Sequence, residues 1–180
     1  SKEAESAKPA SVIFLPYLSG ERCPIWDPLA RGVVFGLDLT TSRGEIARSV
    51  MEGVAFALRS IMSVIEENGL KVEEVRIGGG GSRSELWCQI HADVLNKRVV
   101  KTEVEEASSL GAAIFASVSS GDFKNVEEAV DNMVRVGKEY SPREEFTKIY
   151  DLAFQIYLKL YDRLKDLFPD FSKISDRTPY

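Results

Sequence analysis

Apolar and polar residues alternate along the chain in a pattern that predicts strands and helices in turn. Short apolar runs predict strands, which lie at residues 12–15, 33–39, 72–77 and around Val99 and Val100. After a capping box of Ser42 and Glu45, apolar residues recur at steps of three and four, which predicts one long amphipathic helix that stops at Gly69. Its apolar positions are Ile46, Val50, Val54, Ala57, Leu58, Ile61 and Ile65. Because strands that alternate with helices are joined by crossovers, we expect them to be parallel.

The second half of the sequence predicts mainly helices. They lie at about 84–95, at 107–116 with a stop at Gly121, at 126–134, and in a long last helix with Pro142 at its first helical position. The small residues of the 107–116 helix are expected to let it approach a sheet closely. The last helix has an apolar face that predicts packing in the core, formed by Tyr150, Ala153, Phe154, Tyr157, Leu158, Tyr161, Leu164 and Leu167.

Length and composition predict one folded domain. The sequence has 180 residues, of which 44% are hydrophobic, and a chain of this size buries about 70% of its unfolded surface. We expect the polar segment 1–11 to be a linker, residues 12–168 to be the folded domain and residues 169–180 to be a tail. The absence of an initiating methionine suggests that the chain is processed or is cut from something longer.

Charge and cysteine content argue against several classes of protein. A formal net charge of -5 and a pI near 5.1 disfavour a nucleic-acid partner, since phosphate backbones are bound by clustered Lys and Arg. Cys23 and Cys88 belong to no CxxC or Cys/His cluster, so neither a zinc site nor a disulfide framework is predicted. No apolar run approaches the roughly 20 residues of a membrane span, and the first residues lack the apolar core of a signal peptide. We therefore expect a cytoplasmic protein with no membrane partner.

A glycine-rich segment between a strand and a helix is the strongest candidate for a binding site. The predicted strand at 72–77 runs directly into four glycines at 78–81. Glycine accepts positive φ and lets a ligand lie on the main chain, while the first N–H groups of the next helix remain free to donate. Ser82 and Glu85 fit a capping box, which predicts that the helix begins just after the glycines. The segment is therefore typical of a nucleotide-binding turn.

Spacing excludes two common glycine-rich motifs and leaves one alternative open. A Walker loop requires a lysine after its second glycine, and no lysine lies between Lys71 and Lys97. The dinucleotide fingerprint requires a third glycine where Arg83 stands, which disfavours an NAD-dependent domain. A flexible strand-to-helix turn without any ligand remains possible on these residues alone.

Residues able to carry catalysis are present but lack partners at workable spacing. His91 is the one histidine of the sequence, and with no partner for a triad or a metal site it is expected to have a structural or surface role. Cys88 is expected to be a packed thiol. Asp38 and Asp93 could each act as a general base, but neither has a paired carboxylate, and a surface or capping role is expected for Asp93. No catalytic residue and no metal ligand is therefore assigned.

Four stretches of the sequence form a recognisable series of motifs. They are residues 14–22 with Pro24, 26–28 and 30–32; residues 36–56; the glycines with Ser82, Ser84 and 86–95; and residues 106–113. Taken in order, they cover about residues 12–120 and resemble the C-terminal part of the FGGY family of carbohydrate kinases, most closely its xylulokinase group. Cys23 departs from the pattern, because relatives usually have Thr or Ala there.

The resemblance implies a fold and a set of ligands. The fold is α/β, a ribonuclease-H-like half of the actin and hexokinase type of ATPase, with a mixed sheet flanked by helices. The ligands are ATP or ADP with Mg²⁺, and xylulose or a related ketose or sugar acid. The implied nucleotide-binding residues are Gly79, Gly80, Gly81, Ser82 and Ser84. Among them the backbone of Gly80 and Gly81 would lie against adenine and ribose, and Ser84 would reach the purine.

The resemblance also implies that part of the enzyme lies outside this chain. The family's catalytic aspartate and phosphate loop precede the matched region, and residues 1–11 contain nothing similar. We therefore expect an ATP-dependent sugar kinase that needs an N-terminal kinase domain as its partner, with the isolated chain inactive. The alternative is a non-catalytic nucleotide-binding or interaction module with the same half-fold. A homodimer that packs through the long last helix is also possible.

Overall fold

A computed structural model describes residues 2–175, which form helices, strands and the loops between them. The helices are α1 (Lys2–Ser6), α2 (Arg43–Glu67), α3 (Glu85–Leu95), α4 (Ala107–Ser120), α5 (Val126–Met133), α6 (Glu144–Leu164) and α7 (Phe168–Ser175). The strands are β1 (Ile13–Leu15), β2 (Val33–Phe35), β3 (Glu74–Ile77), β4 (Arg98–Thr102) and β5 (Val136–Tyr140). Short 3₁₀ turns precede α3 and α7.

The strands form two sheets among the described residues. β1 and β2 pair antiparallel, with Ile13 opposite Phe35. The second sheet has the order β3-β4-β5, in which β3 and β4 are parallel and β5 is antiparallel to β4. The parallel crossover predicted from the sequence is therefore confirmed for β3, α3 and β4. It is wrong for β2, α2 and β3, because β2 pairs with β1 in the other sheet. Strand β5 was not predicted, because four of its five residues are exposed and the segment has no apolar run.

Helix α2 begins and ends where the sequence predicts. The Ser42 hydroxyl accepts the N–H of Glu45 at 3.2 Å, and the Glu45 carboxylate accepts the N–H of Ser42 at 2.8 Å. This reciprocal pair is the predicted capping box. The helix stops before Gly69, whose φ of 86° suits glycine at a helix end.

The apolar positions that predict α2 are not the positions that it buries. Ile46, Val50, Leu58 and Ile65 are 39%, 42%, 42% and 38% exposed. The buried residues of this helix include Arg48, Ser49, Glu52, Gly53, Ala55, Phe56, Ser60 and Met62. This side of α2 is buried partly because Gly53 lets strand β1 approach it. A Cβ at position 53 would lie 2.4 Å from the carbonyl oxygen of Phe14. The glycine thus brings β1 close to the polar side of the helix.

A buried network of charges joins three separate parts of the chain. Arg48 Nε donates to Glu52 Oε1 at 2.7 Å, and both side chains are almost completely buried. Arg48 also donates to the Tyr150 hydroxyl at 2.9 Å and to the Ala4 carbonyl at 3.2 Å. The Glu52 carboxylate accepts the Tyr150 hydroxyl at 2.7 Å and the Ala10 N–H at 3.1 Å. The network therefore fastens α6 and the first ten residues to α2.

The first residues differ from the linker that the sequence predicts. Lys2–Ser6 form α1, which packs against α2 and buries Ala4. Gly44 permits this approach, because a Cβ there would lie 2.4 Å from the Glu3 carbonyl oxygen. Five residues are too few to show a helical period, so the residue pattern alone contains no sign of α1.

The aromatic face of α6 packs in the core as predicted, although the ends of the helix differ. Tyr150, Ala153, Phe154 and Tyr157 are buried, whereas Leu158 is 40% exposed. The helix begins at Glu144, so Pro142 lies outside it. The cause is the extended backbone of Arg143, whose N–H donates to the Asp93 carboxylate at 2.8 Å.

The last two predictions concern α4 and the tail. Helix α4 ends at Gly121 as predicted, but it packs against α5 rather than closely on a sheet, and among its residues Ile114 alone is buried. Where a tail was predicted from residue 169, α7 continues to Ser175 after the buried Phe168. The remaining part of the predicted tail, 176–180, lies outside the described residues.

We expect Arg48→Met to lower the free energy of unfolding by about 3–5 kcal/mol, because it leaves the buried Glu52 carboxylate without its cation. Urea denaturation at neutral pH measures this change. The double variant R48M/E52L should lose less, since no uncompensated charge remains. Lys148→Met breaks an exposed pair with Glu144 on α6 and serves as the control, with a loss below about 1 kcal/mol. Equal losses for R48M and K148M would contradict a dominant role for the buried pair.

Candidate nucleotide-binding site

The four glycines form a loop that its own hydrogen bonds hold in shape. The Gly79 N–H donates to the Glu105 carbonyl at 3.0 Å, which ties the loop to the segment before α4. The Gly79 carbonyl accepts the Ser82 N–H at 3.1 Å and the Ser82 hydroxyl at 2.7 Å. The loop then turns through the 3₁₀ segment Gly80–Arg83 into α3. A loop fixed in this way needs little further ordering to receive a ligand.

The four glycines of the loop differ in what a side chain would meet at each position. Gly79 has a φ of 75°, which L side chains rarely adopt. A Cβ on Gly78 would lie 3.0 Å from Thr102 Oγ1, and a Cβ on Gly81 would lie 3.1 Å from Trp87 Nε1. A Cβ on Gly80 would meet no other atom within 4 Å. Gly79 and Gly80 are therefore the positions where a Cβ would meet open space, and of the two Gly80 has no need of positive φ.

Ser84 caps α3, and the predicted capping box of Ser82 with Glu85 is wrong. The Ser84 hydroxyl accepts the Trp87 N–H at 3.2 Å, and its backbone is extended as in an N-cap residue. The 3₁₀ turn Gly80–Arg83 includes the last two glycines and ends just before Ser84. The helix therefore begins two residues later than that box requires. Glu85 instead forms an ion pair with Lys138. The Ser84 hydroxyl hydrogen remains able to donate, because the cap uses the oxygen as acceptor.

An ion pair joins the glycine loop to the loop before α4. Arg83 Nη2 lies 2.7 Å from Glu105 Oε2. The hydrogen bond from Arg83 lowers the pKa of Glu105, which remains ionised at neutral pH. Glu105 thus contacts Arg83, and Glu106 stands at the N-terminal end of α4 without a side-chain cap bond. Arg83 is 69% exposed at its side chain, so this pair contributes little to stability.

His91 and Cys88 have packing roles, as expected. His91 Nδ1 lies 2.7 Å from the Trp87 carbonyl oxygen, and the two rings are 4.6 Å apart. Burial lowers the pKa of His91, so the neutral ring is favoured in the folded protein. Burial also raises the pKa of the Cys88 thiol, which lies 3.6 Å from the Ser82 carbonyl oxygen. The Cys88 thiol therefore contacts the glycine loop, whereas His91 packs on Trp87.

Asp93 is engaged in a buried ion pair, which corrects the expectation of a surface role. Its side chain is 0% exposed, and its carboxylate accepts Arg143 Nη2 at 2.6 Å and Gln89 Nε2 at 2.9 Å. The carboxylate also accepts the Arg143 N–H at the start of α6, so the capping half of the expectation holds. A carboxylate with these bonds is poorly placed to take a proton from a substrate. The sequence shows no sign of this pair, since its members are fifty residues apart.

Asp38 lies in an exposed loop before α2, and its carboxylate contacts Thr40 and Thr41 rather than the glycine loop. Its carboxylate accepts the N–H and the hydroxyl of Thr40, each at 2.7 Å. These bonds lower the pKa of Asp38 and make it a weaker base. Residues 2–175 contain no group of three or more His, Cys, Asp or Glu side chains placed to hold a metal ion. In the same residues no helix has both the length and the hydropathy of a membrane-spanning segment.

Comparison with known proteins gives the fold and the site a context. The model of the FGGY family of carbohydrate kinases, C-terminal domain, matches residues 1–120. The xylulose kinase of Bacillus subtilis (strain 168) is 35% identical over 156 residues, which are 87% of this chain and 31% of that protein. The xylulose kinase of Escherichia coli (strain K12) is 37% identical over 164 residues, covering 91% of this chain and 33% of that protein. The chain thus spans about a third of the length of these relatives.

Solved structures agree with the sequence comparison. The ligand-bound xylulose kinase from Lactobacillus acidophilus superposes with a TM-score of 0.86 at 31% identity, over 95% of this chain and 35% of that chain. The Plasmodium falciparum glycerol kinase with ADP superposes with a TM-score of 0.73 at 24% identity, over 88% of this chain and 32% of that chain, and shows the fold alone. The expected fold class, an α/β half of the actin and hexokinase type of ATPase, is therefore confirmed.

Stability should fall as the pH falls below about 6.5, the ordinary pKa of histidine, because the folded state lowers the pKa of His91. Below that pH the unfolded chain binds a proton that the folded chain resists. Urea denaturation in steps from pH 7.5 to pH 5.5 measures the slope. His91→Gln removes the one histidine of the sequence and should flatten the curve in that range. An unchanged slope in H91Q would show that other groups cause it.

Proposed function

The chain belongs to the FGGY family of carbohydrate kinases, as its C-terminal domain, and from that premise we propose that it forms the nucleotide-binding side of an ATP-dependent sugar kinase. The complete polypeptide would transfer the γ-phosphoryl group of MgATP to a hydroxyl of xylulose or of a related ketose or sugar acid. The names of the relatives support this sugar class, since they include xylulose kinases from several bacteria.

The open main chain at Gly80 is the observation that carries this proposal. It lies between the left-handed Gly79 and the capped N-terminus of α3. We assign the backbone of Gly79, Gly80 and Gly81 to the adenine and ribose, because a flat ring can approach where no side chain stands. The helix start nearby favours negative charge through its unpaired N–H groups.

The two serines of the site have different roles in this proposal. The Ser82 hydroxyl donates to the Gly79 carbonyl and the side chain is buried, so Ser82 shapes the loop. Ser84 is half-buried, and its hydroxyl hydrogen is free for an acceptor atom of the purine while its oxygen caps α3. The pair thus provides loop shape and a hydrogen-bond donor, and the glycines provide space.

The groups for the chemical step are assigned to the polypeptide outside this chain. Phosphoryl transfer requires a metal ion and donors on both sides of the phosphates, and a base close to the acceptor hydroxyl. Asp93 is saturated by Arg143, and Asp38 lies in an exposed loop with a lowered pKa. We therefore place the base and the Mg²⁺ ligands in the N-terminal kinase domain, which acts together with this chain.

Gly80→Val should abolish the binding of ADP while leaving the fold intact. The added side chain would fill the space over the main chain, where a Cβ meets no protein atom within 4 Å. Calorimetry with ADP measures the affinity, and thermal unfolding with circular dichroism measures the fold. The parent chain should bind ADP better than NAD, because the dinucleotide glycine is replaced by Arg83.

Two further variants separate space from strain at this loop. Gly80→Ala adds one methyl group and should weaken ADP binding less than Gly80→Val does. Gly79→Val forces a β-branched side chain into a φ of 75°, so it should lower the melting temperature as well. A folded Gly80→Val protein with the affinity of the parent would show that the glycines serve the turn alone.

The isolated chain should show no sugar-dependent ATP turnover, even with xylulose and Mg²⁺ in excess. The reason is that it supplies one side of a reaction that depends on groups positioned on both sides. A coupled assay for ADP release measures the rate, and joining the chain to the polypeptide that precedes it in its gene should restore activity.

Two outcomes of this assay would change the assignment. A rate in the isolated chain that disappears in Asp38→Asn or Asp93→Asn would show that a base is present here. A complete polypeptide that binds ADP without phosphorylating any ketose, sugar acid or polyol would instead indicate a non-catalytic nucleotide-binding module.

A further inference from the structure

The indole ring of Trp87 fills the space beside the glycine loop that a side chain at Gly81 would take. A Cβ on Gly81 would lie 3.1 Å from Nε1, 3.4 Å from Cε2 and 3.6 Å from Cδ1 of Trp87. These three atoms form the N–H edge of the ring. At Gly79 and Gly80, in contrast, a Cβ would meet no atom within 4 Å. The open main chain is thus followed directly by a position at which the N–H edge of an indole lies against the loop.

The ring of Trp87 is held in place from two sides. Its backbone N–H donates to the Ser84 hydroxyl at 3.2 Å, at the start of α3. One turn later, the ring of the buried His91 lies 4.6 Å from the Trp87 ring, and His91 Nδ1 lies 2.7 Å from the Trp87 carbonyl oxygen. The indole therefore has little freedom to turn away from the loop, so little entropy is lost when a ligand meets it.

The indole N–H of Trp87 lacks a partner within the protein. Outside the ladder of α3, the hydrogen bonds of Trp87 use its backbone, and its indole N–H donates to no atom of residues 2–175. The buried polar atoms without a partner in the same residues are Arg59 Nη1 and Tyr140 Oη, so the indole nitrogen is open to solvent. An indole nitrogen can only donate. A ligand lying on the loop can reach this donor, provided that it presents an acceptor atom there.

We propose that Trp87 is a further nucleotide-binding residue, whose indole N–H donates to a neutral acceptor atom of the adenosine. This acceptor is a ribose hydroxyl oxygen or a ring nitrogen of the purine, because Gly81 adjoins the main chain that we assign to those groups. The positive edge of an aromatic ring also favours an electron-rich atom. The inference rests on the proposed nucleotide site and adds a residue to it. It also gives Gly81 a role of its own, which is to leave room for the indole.

NMR of the 180-residue chain tests the proposal, because the sequence contains two tryptophans and each gives one indole N–H signal. Trp26 is the internal control, since it is 74% exposed and lies in the loop between β1 and β2. Trp26→Phe assigns the two signals. ADP, 2′-deoxy-ADP and inorganic triphosphate are titrated separately into the chain with isotope-labelled tryptophan.

The Trp87 signal should move downfield with ADP, the direction that a new hydrogen bond gives, and saturate with the dissociation constant that calorimetry measures. The Trp26 signal should stay in place. A shift with ADP that is absent at saturating 2′-deoxy-ADP identifies the 2′-hydroxyl as the acceptor, and a shift with both identifies another acceptor of the adenosine.

Trp87→Phe keeps a ring beside Gly81 and His91 but removes the N–H. It should lower the affinity for ADP about two- to tenfold, as expected for one hydrogen bond, with a melting temperature close to that of the parent. Trp26→Phe should bind ADP as the parent does. Calorimetry measures both affinities.

Three results would overturn the proposal and leave the kinase assignment intact. They are a Trp87 signal that stays in place while calorimetry shows bound ADP, an equal shift with inorganic triphosphate, and a folded W87F variant with the affinity of the parent. If W87F does not fold, the spectrum of the parent chain decides alone. A chain that binds no ADP in calorimetry would contradict the nucleotide site itself, and the role of Trp87 with it.

Discussion

The buried ion pair of Arg48 and Glu52 determines which side of α2 faces the described core. Removing two charges from water costs several kcal/mol per ion, so the pair is tolerable where every remaining polar atom has a partner. Tyr150 and the backbone of Ala4 and Ala10 provide those partners. These partners come from α6 and from the first ten residues. The network therefore forms when α2 is rotated about its axis so that Arg48 and Glu52 face them. The rotation of α2 in turn leaves its apolar side outward.

Local signals in the sequence were sufficient to predict the region around the glycines. A β-branched strand, four glycines and a capped helix each have a short-range cause, and β3, the loop, α3 and β4 follow in the predicted order. The ends of α2 were predicted for the same reason, since the Ser42 capping box and Gly69 act within one turn. What could not be predicted depends on distant partners. The ion pair of Asp93 and Arg143 is one case. The rotation of α2 about its axis is the other, because periodicity identifies an apolar side of a helix but does not say what packs against it.

The position of the candidate site could be predicted, whereas the roles of its residues could not. The sequence places glycine at 78–81 but does not separate Gly79, which has a positive φ, from Gly80, where a Cβ would meet open space without one. It also assigns the helix cap to Ser82, because a 3₁₀ turn before α3 leaves no mark in the residue pattern. Only the structure shows that Ser82 closes the loop and that Ser84 caps the helix.

Helix α3 connects the glycine loop to α2 and to α6. It begins at the loop and packs against α2 along its length, and Lys97 beyond its C-terminal end bonds to Glu66 of α2 at 2.6 Å. The Asp93 pair with Arg143 fixes the other side of α3 to α6. The loop is therefore held in a defined position relative to α2 and α6. Because phosphoryl transfer loses rate steeply when reacting groups are misplaced by about 1 Å, the kinase function that we propose would depend on this rigid connection.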